Sequence, residues 1–234
     1  MHTYDAAKPP FKERVSAALA DRTLKLAIDR TTGNAERKRA AAVAAFPEFE
    51  AARARGKAIK DHVIANLGHY LEMFERNAAA SGAQVHWAAD DAEARAIVTR
   101  ICLEAKAKRV TRSKSMLGEE IGLPHALADA GIERVETDLA EHIIQLAGEA
   151  PSHIVWPAMH RTREQVAELF HAAHHPPPEA DDPATMVRSA RRQLRAKFLS
   201  ADVGISGANF LVADTGATCT VTNEGNAELT TTPP

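Results

Sequence analysis

Cysteine is scarce in this sequence. The 234 residues include two cysteines, Cys102 and Cys219, and neither stands in a CxxC pair. Because a zinc or iron–sulfur centre held by cysteine alone needs four thiolates, this count excludes such a centre within the chain. Two separated cysteines are typical of reduced thiols in a cytoplasmic protein, and we predict that location and no metal site.

Long apolar runs, aromatic residues and the common catalytic motifs are missing as well. No segment approaches the roughly 20 apolar residues of a membrane span, and the N-terminus lacks the apolar core of a signal sequence. Aromatic residues make up 5% of the chain and do not alternate with basic residues, so we expect no nucleic acid partner. The motifs GxGxxG, GxSxG and HExxH are absent, so none of them assigns a function.

The pattern of the chain changes near residue 82. Residues 1–82 have helical apolar spacing, with a break predicted at Thr31–Asn34, and we assign them to an N-terminal helical extension. Residues 83–234 alternate strand-like and helix-like runs, which predicts an α/β domain with a mainly parallel sheet flanked by helices. The predicted strands are AQVHWA, KRVTRS, IERVET and SHIVWP, followed by a C-terminal β-hairpin of NFLVA and TCTVT and a last strand-like run, AELTTT.

Three loops after predicted strands contain the candidate site residues. Open α/β sheets bind ligands beyond the carboxyl ends of their strands, so we expect the three loops to share one rim. The first loop contains Ser113, Lys114 and Ser115, whose cation and hydroxyl groups suit a carboxylate or phosphate. A plain helix cap explains the same residues and stays open as an alternative.

Carboxylates characterise the second loop. Glu136 and Asp138 follow the strand IERVET, with Glu141 three residues after Asp138, and they can orient a ligand or handle a proton. The same pattern is typical of a helix start, where acidic side chains cap the first turn, and this alternative is the favoured one.

Small polar residues and one acid make up the third loop region. Asn209, Thr215, Gly216 and Asn226 are predicted to line the pocket. Glu224 lies between turn residues and is predicted as the catalytic base or nucleophile, with a solvated acid as the alternative.

Three histidines have a spacing at which imidazoles can share a metal. His171, His174 and His175 stand at i, i+3 and i+4, but no acidic or cysteine partner lies at a diagnostic spacing. A favourable charge at a helix C-terminus explains them equally well, and we predict no metal there.

Nearly the whole chain resembles a known family. The stretches that carry the resemblance are IKDHVIANLGHYLEMFERN, GAQVHWAADDAEA, SKSMLGEEIGL, GIERVETDLAEHIIQLAGEAPSHIVWPAMH and FLSADVGISGANFLVADTGATCTVTNEGNAELTTT. They are similar to the N-terminal half of the lactate utilisation protein B family, which are iron–sulfur proteins with a LUD domain. The resemblance implies that residues 83–234 form a C-terminally truncated LUD domain, similar in fold to the sugar-phosphate isomerase and CoA-transferase-like group.

The resemblance also implies a function. Such proteins are iron–sulfur electron-transfer subunits of a complex that oxidises L-lactate to pyruvate, so other lactate-utilisation subunits are the expected partners. Their 4Fe–4S clusters lie in a ferredoxin-like region with CxxCxxC-type motifs, which this sequence lacks. We therefore expect no cofactor in this chain and no catalysis by it alone. An edge strand at the C-terminus would favour a homodimer.

Two alternatives stay open beside this interpretation. One is an enzyme like a CoA transferase or isomerase, with Glu224 as nucleophile or base and Lys114 beside it. The other is a domain that binds a small anionic ligand through the same loops.

Overall fold

The computed structural model of the protein describes residues 9–113, 115–222 and 224–232. They belong to two units. The first, called the sheet unit below, contains the residues up to Asp29, Ala88–Gly207 and those from Thr222 onward. The second, called the hairpin unit, contains Arg30–Trp87 and Ala208–Val221. None of the helices in these ranges is both long enough and apolar enough to cross a membrane.

Helices dominate the described residues, and short strands alternate with them after residue 88. The helices are α1 (Phe11–Ala20), α2 (Arg22–Ala44), α3 (Phe49–Ala65), α4 (Leu67–Ala80), α5 (Asp91–Glu104), α6 (Met116–Glu120), α7 (Leu123–Asp129), α8 (Leu139–Ala147), α9 (Arg163–Ala173), α10 (Pro183–Leu199) and α11 (Asn226–Thr231). The strands are β1 (Arg109–Ser113), β2 (Glu133–Glu136), β3 (Val203–Ser206), β4 (Phe210–Val212) and β5 (Ala217–Cys219).

A three-stranded parallel sheet organises the sheet unit. The strand order is β2-β1-β3, so β1 lies in the centre. Arg112 of β1 lies opposite Glu136 of β2 and Ile205 of β3, which brings the carboxyl ends of all three strands to one edge. The predicted α/β class, with a parallel sheet flanked by helices, is confirmed.

Helices cover both faces of this sheet. On one face, Val110 of β1 packs with Cys102 of α5 and Leu127 of α7. On the other face, Val135 of β2 packs with Leu194 and Phe198 of α10. The two valines lie on opposite faces because Val135 is opposite the residue after Val110 in the register, and successive side chains of a strand alternate. Burying each of these side chains contributes about 1.5–3 kcal/mol.

The hairpin unit contains α3, α4 and the antiparallel pair β4–β5, which confirms the predicted C-terminal hairpin. The amide of Asn77 in α4 donates to the carbonyl groups of Ala213 (2.8 Å) and Asp214 (3.0 Å) in the turn. Gly216 has a φ of +72°, and a Cβ there would lie 2.1 Å from the backbone nitrogen of Ala78. The turn therefore requires glycine to approach α4 this closely.

Two predicted strands are wrong. SHIVWP (152–157) forms a bend, because the His153 Nδ1 accepts hydrogen bonds from the backbone N–H groups of Val155 (3.0 Å) and Trp156 (3.2 Å). Those N–H groups are then not available to a sheet. AQVHWA (83–88) pairs with no strand among the described residues, and the Trp87 indole donates to Glu75 Oε1 at 2.9 Å in α4.

A third predicted strand and a predicted helix break are wrong as well. AELTTT (227–232) lies mostly in α11, which begins after Gly225 with a left-handed φ of +77° and in which the Thr231 hydroxyl donates to the carbonyl of Ala227 (2.9 Å). The break predicted at Thr31–Asn34 is absent, since α2 continues through these residues. The helical segment is interrupted instead at Asp21, between α1 and α2, where the Asp21 Oδ1 accepts hydrogen bonds from two backbone N–H groups in the first turn of α2.

Candidate functional site

Hydroxyl groups meet where β1 and β3 end. Ser113 is fully buried, and its Oγ donates to the Oγ of Ser206, its partner in the parallel register, at 2.9 Å. Ser206 donates in turn to the carbonyl of Gly207 at 3.0 Å. Ser115 lies outside the strand, and its Oγ accepts from the N–H of Gly118 at 3.2 Å and caps α6. The capping alternative therefore describes Ser115.

A buried arginine connects β1 with two carboxylates. Arg112 is 1% exposed, and its Nη1 lies 3.0 Å from Glu119 Oε1 and 3.1 Å from Glu136 Oε1. Arg134 Nη1 approaches the same Glu136 oxygen at 3.1 Å. The parallel register places Arg112 directly opposite Glu136, so the pair is a cross-strand contact. Removal of either partner would break this buried pair and leave the other with a single partner, Glu119 for Arg112 and Arg134 for Glu136.

Glu136 and Glu141 form a carboxyl pair beside these arginines. Burial raises the pKa of Glu136, while the charges of Arg112 and Arg134 oppose that rise. Burial, then the negative charges of Glu136 and Asp138, raise the pKa of Glu141 to about 8. The pair therefore holds a proton at neutral pH. It faces a cavity of about 50 Å³ whose lining consists of Glu119, Arg134, Glu136, Glu141, Ile144, Gln145, Glu149 and Pro151.

Thr137 follows β2 and links the sheet to α11. Its hydroxyl donates to the carbonyl of Arg112 at 2.7 Å and accepts from the Asn226 amide at 3.4 Å. Asn226 is 4% exposed, and its Oδ1 has no hydrogen-bond partner among the described residues. α11 lies close to β3, because a Cβ on Gly204 would be 1.7 Å from the carbonyl oxygen of Thr230.

Two acidic side chains occupy the N-terminus of α8. Asp138 Oδ1 accepts from the N–H groups of Ala140 (2.9 Å) and Glu141 (3.3 Å), as the capping alternative predicts. Glu224 Oε2 accepts from the N–H of Leu139 at 3.2 Å. Both carboxylates compensate the positive end of the helix dipole. The structure thus brings Asp138 and Glu224 to the first turn of α8 and Asn226 to Thr137, whereas Glu136 lines the small cavity described above.

A groove of about 1010 Å³ opens next to this cluster. Its floor is apolar and comes mainly from α10, and its rim carries four arginines of the same helix. The lining consists of Thr137, Leu139, Glu179, Thr185, Val187, Arg188, Ala190, Arg191, Arg192, Leu194, Arg195, Phe198, Leu199, Glu224, Asn226 and Leu229. The groove therefore begins at the end of β2, where an α/β sheet places ligands, and follows the face of α10.

The other predicted site residues lie elsewhere. Asn209, Thr215 and Gly216 belong to the hairpin unit. There the Asn209 Oδ1 accepts from the N–H of Val221 at 2.8 Å, and the Thr215 Oγ1 accepts a backbone N–H two residues ahead at 3.3 Å. All three therefore have roles within the hairpin. Lys114 lies outside the described residues.

A buried histidine pair is a feature that sequence reasoning missed. His142 Nε2 lies 3.2 Å from His174 Nε2, and His174 Nδ1 lies 2.9 Å from Ser189 Oγ. Phe170 stacks on His174 with 4.1 Å between ring centroids. Burial, then the neighbouring His174, lowers the pKa of His142 to about 4, and burial also lowers the pKa of His174. Both rings are therefore neutral at pH 7.

The three histidines with metal-like spacing do not form a common site. His171 Nε2 pairs with Asp181 Oδ1 at 2.7 Å on the surface, whereas His174 is buried in the pair described above. Across the described residues, no group of three histidine, cysteine, aspartate or glutamate side chains is arranged to hold a metal ion.

Arginines are the second class of residue that sequence reasoning did not place in the site. Arg112 and Arg134 lie in short strands among buried neighbours. A charged residue in such a strand is unusual, and it was the one feature of the sequence that could have indicated a buried ion pair. The arginines of α10 recur at i, i+3, i+4 and i+7, which places them on one face of the helix. Their relation to a groove depends on how the helix packs, which spacing does not show.

Comparisons with known proteins place these features in a family. Residues 71–234 match the LUD domain. An uncharacterized electron transport protein, YkgF, of Escherichia coli K12 is 38% identical over 225 residues, which are 96% of this chain and 47% of that protein. Lactate utilization protein B of Bacillus thuringiensis Al Hakam is 37% identical over 219 residues, which are 94% of this chain and 46% of that protein.

The same values hold for lactate utilization protein B of Bacillus anthracis CDC 684. The chain thus spans about half the length of the curated relatives it matches. No solved structure matches it. Since the LUD match covers most of the sequence, including the sheet and the groove, the chain belongs to the LUD-domain family.

Proposed function

We propose that this chain is the LUD-domain part of an iron–sulfur electron-transfer subunit in a cytoplasmic complex that oxidises L-lactate to pyruvate. The observation that carries the proposal is the identity of 37% over 94% of the chain to proteins named lactate utilization protein B. The name electron transport protein for a second relative supports the same direction. Other subunits of the lactate-utilisation system are the proposed partners.

The part of this function proposed for the present residues is the binding of a small carboxylate anion. The position of Thr137 supports this, because it lies at the carboxyl end of β2 in a groove that four arginines also line, and a guanidinium pairs well with a carboxylate. The remaining proposed contacts in the sheet unit are Ser113, Lys114, Ser115, Glu136 and Asp138.

An iron–sulfur cluster does not fit the residues of this chain. Cys102 is buried and Cys219 is exposed, they belong to different units, and a cluster needs four ligands. We therefore assign no electron-transfer step to these residues and propose that the clusters of the complete subunit are held outside them.

A chimera tests the lactate role. This chain would replace the matching half of the Bacillus thuringiensis protein in a strain that lacks its own copy, and growth on L-lactate would be measured. We expect growth to be restored. A chimera that is produced in normal amounts and leaves the strain unable to use lactate would contradict the proposal.

Calorimetry tests the anion site separately. We expect L-lactate or pyruvate to bind the 234-residue chain, and we expect Glu224→Gln to raise that affinity severalfold, because it removes a negative charge beside the bound anion. Glu228→Gln, an exposed glutamate of α11, is the matched control. If neither anion gave binding heat, the proposed carboxylate site would be contradicted, while the lactate role tested by the chimera would not be affected.

The second candidate function is an enzyme like a CoA transferase or isomerase. It is favoured by one observation, the fixed position of the Glu224 carboxylate in the wall of the groove. In that chemistry the carboxylate attacks an acyl thioester, an acyl–oxygen bond forms, the acyl–sulfur bond breaks and the thiolate leaves. Hydroxylamine would then trap the acyl group when acetyl-CoA is supplied, and Glu224→Gln would abolish trapping. Equal trapping by both proteins would contradict this candidate.

A further inference from the structure

Within the described residues, the four arginines of α10 lack the carboxylate partners that the other arginines between residues 88 and 207 have. Between residues 88 and 207, every arginine outside α10 lies within ion-pair distance of a carboxylate: Arg95, Arg100, Arg109, Arg112, Arg134, Arg161 and Arg163. Arg188, Arg191, Arg192 and Arg195 form no ion pair within the part of the chain that the structure describes. Among the arginines of this range, those without an ion pair are therefore gathered on one face of α10.

The same four side chains line the groove of about 1010 Å³. Only two acidic side chains, Glu179 and Glu224, line it with them, so the groove has an excess of positive charge. Arg188 and Arg195 are seven residues apart, which corresponds to about 10 Å along the helix axis. An anion the size of lactate cannot span that distance, whereas a ligand with two phosphate groups can pair with several arginines at once.

The floor of the groove calls for an apolar part in the same ligand. Ala190, Leu194 and Phe198 are buried side chains of α10 that also line the groove, and the exposed Leu229 of α11 adds to this surface. The volume lies at the upper end of the range for small-molecule and cofactor sites. The groove therefore suits an elongated molecule better than a simple inorganic anion.

A buried polar atom at the sheet end of the groove has no partner. Asn226 is 4% exposed and lines the groove, and its Oδ1 accepts no hydrogen bond from the described residues. Its amide nitrogen donates one hydrogen bond, to the Thr137 hydroxyl at 3.4 Å. A buried acceptor without a donor is unfavourable, and a hydroxyl or amino group of a ligand would satisfy it.

We propose that the groove along α10 binds a ligand with at least two phosphate groups, an apolar or aromatic part and a hydroxyl or amino donor, which is the chemistry of a nucleotide cofactor. The phosphates pair with the arginines of α10, the apolar part covers Leu194 and Phe198, and the donor reaches Asn226. The inference concerns the ligand of this groove and does not require the lactate role, although the groove shares Glu224 and Asn226 with the proposed carboxylate site.

Titration calorimetry with three probes tests the proposal. ADP has both phosphates and an aromatic base, pyrophosphate has only the charge, and adenosine has only the base and hydroxyl groups. We expect ADP to bind one-to-one and each of the other two to bind at least tenfold more weakly. We also expect the ADP affinity to fall as salt is raised, because the contacts are ionic.

Variants identify the surface that binds. The double variant Arg191→Gln/Arg195→Gln is expected to weaken ADP binding at least tenfold. Arg100→Gln/Arg163→Gln makes the same change in charge at exposed, ion-paired positions on α5 and α9, and it should leave binding unchanged. Circular dichroism confirms that both variants are folded. The replaced side chains are exposed in each, so folding is not at risk.

Three results would overturn the proposal. The first is the absence of saturable ADP binding at ADP concentrations up to about 10 mM, since a dissociation constant of that size is about the weakest that such contacts would give. The second is ADP binding that both double variants retain. The third is tighter binding of a polyglutamate peptide than of ADP with the same dependence on Arg191 and Arg195, which would assign the groove to an acidic protein partner. None of these results decides whether lactate or pyruvate binds, because that question is tested by the separate titration with those anions and with Glu224→Gln.

Discussion

Glu141 and His142 are adjacent in α8, and folding shifts their pKa values in opposite directions. The pKa of Glu141 rises from 4.5 to about 8, chiefly through burial, so the folded chain keeps a proton that the unfolded chain releases. The pKa of His142 falls from 6.5 to about 4, again through burial, so the unfolded chain binds a proton that the folded chain excludes. Through Glu141, stability falls as the pH rises from 4.5 to 8. Through His142, it falls as the pH drops from 6.5 to 4.

Between pH 4.5 and 6.5 these two effects oppose each other. Each changes the free energy of unfolding by at most about 1.4 kcal/mol per pH unit, and the signs differ, so their sum is close to zero. Glu141→Gln removes one effect, and we expect the free energy of unfolding to rise with pH across this window by roughly 2–3 kcal/mol more than in the wild type. His142→Leu removes the other and is expected to give the reverse slope.

Urea unfolding followed by circular dichroism at half-unit steps from pH 4 to 8.5 measures these slopes. The dependence of the unfolding free energy on pH is the quantity to compare, because either replacement also changes packing and hence the absolute stability. Glu120→Gln, at an exposed position of α6, is the control and should run parallel to the wild type. If Glu141→Gln also runs parallel to the wild type between pH 4.5 and 8, the buried carboxyl pair does not hold the proton assigned to it.

Three further predictions concern the packing around the site. Arg112→Leu removes the buried partner of Glu136 and should lower the free energy of unfolding by about 3–5 kcal/mol. Glu136→Gln should lower it less, because Arg112 keeps its second carboxylate, Glu119. Equal losses of stability in urea would contradict this pairing. Gly204→Ala places a Cβ 1.7 Å from a backbone oxygen of α11, so we expect a lower Tm and faster proteolysis near the C-terminus, while Gly56→Ala, with open space in α3, should stabilise by about 0.5–1 kcal/mol. Asp182→Ala removes the side-chain cap of α10 and should lower the urea midpoint, and an unchanged midpoint would refute that role.

The elements that were predicted correctly are those for which local pattern and tertiary packing agree. KRVTRS and IERVET contain β1 and β2, whose apolar residues fit a buried sheet, and the Asp-Thr-Gly turn predicted the hairpin. The capping alternatives for Ser115 and Asp138 also describe the structure, because a cap is a contact between residues two or three apart. Such contacts can be read from a single sequence.

The elements that were missed depend on competition or on distant contacts. In SHIVWP the apolar residues fit a strand, but the imidazole of His153 takes the backbone N–H groups that a strand would use. The pairing of Arg112 with Glu136 depends on the register of β1 against β2. The groove depends on which face of α10 turns toward the sheet, and apolar spacing alone does not say what lies across from the arginines.

The helix α10 has two roles that make different demands on its sequence. Leu194 and Phe198 pack against Val135 and stabilise the sheet unit, so replacing them would affect folding. The arginines contribute nothing comparable to folding, because they are exposed, form no ion pair among the described residues and lie close enough on one helix face to repel each other. A bound anion would turn that repulsion into attraction. The arginines of α10 are therefore better explained by binding than by stability, in contrast to Arg112, whose buried carboxylate partners explain it through folding.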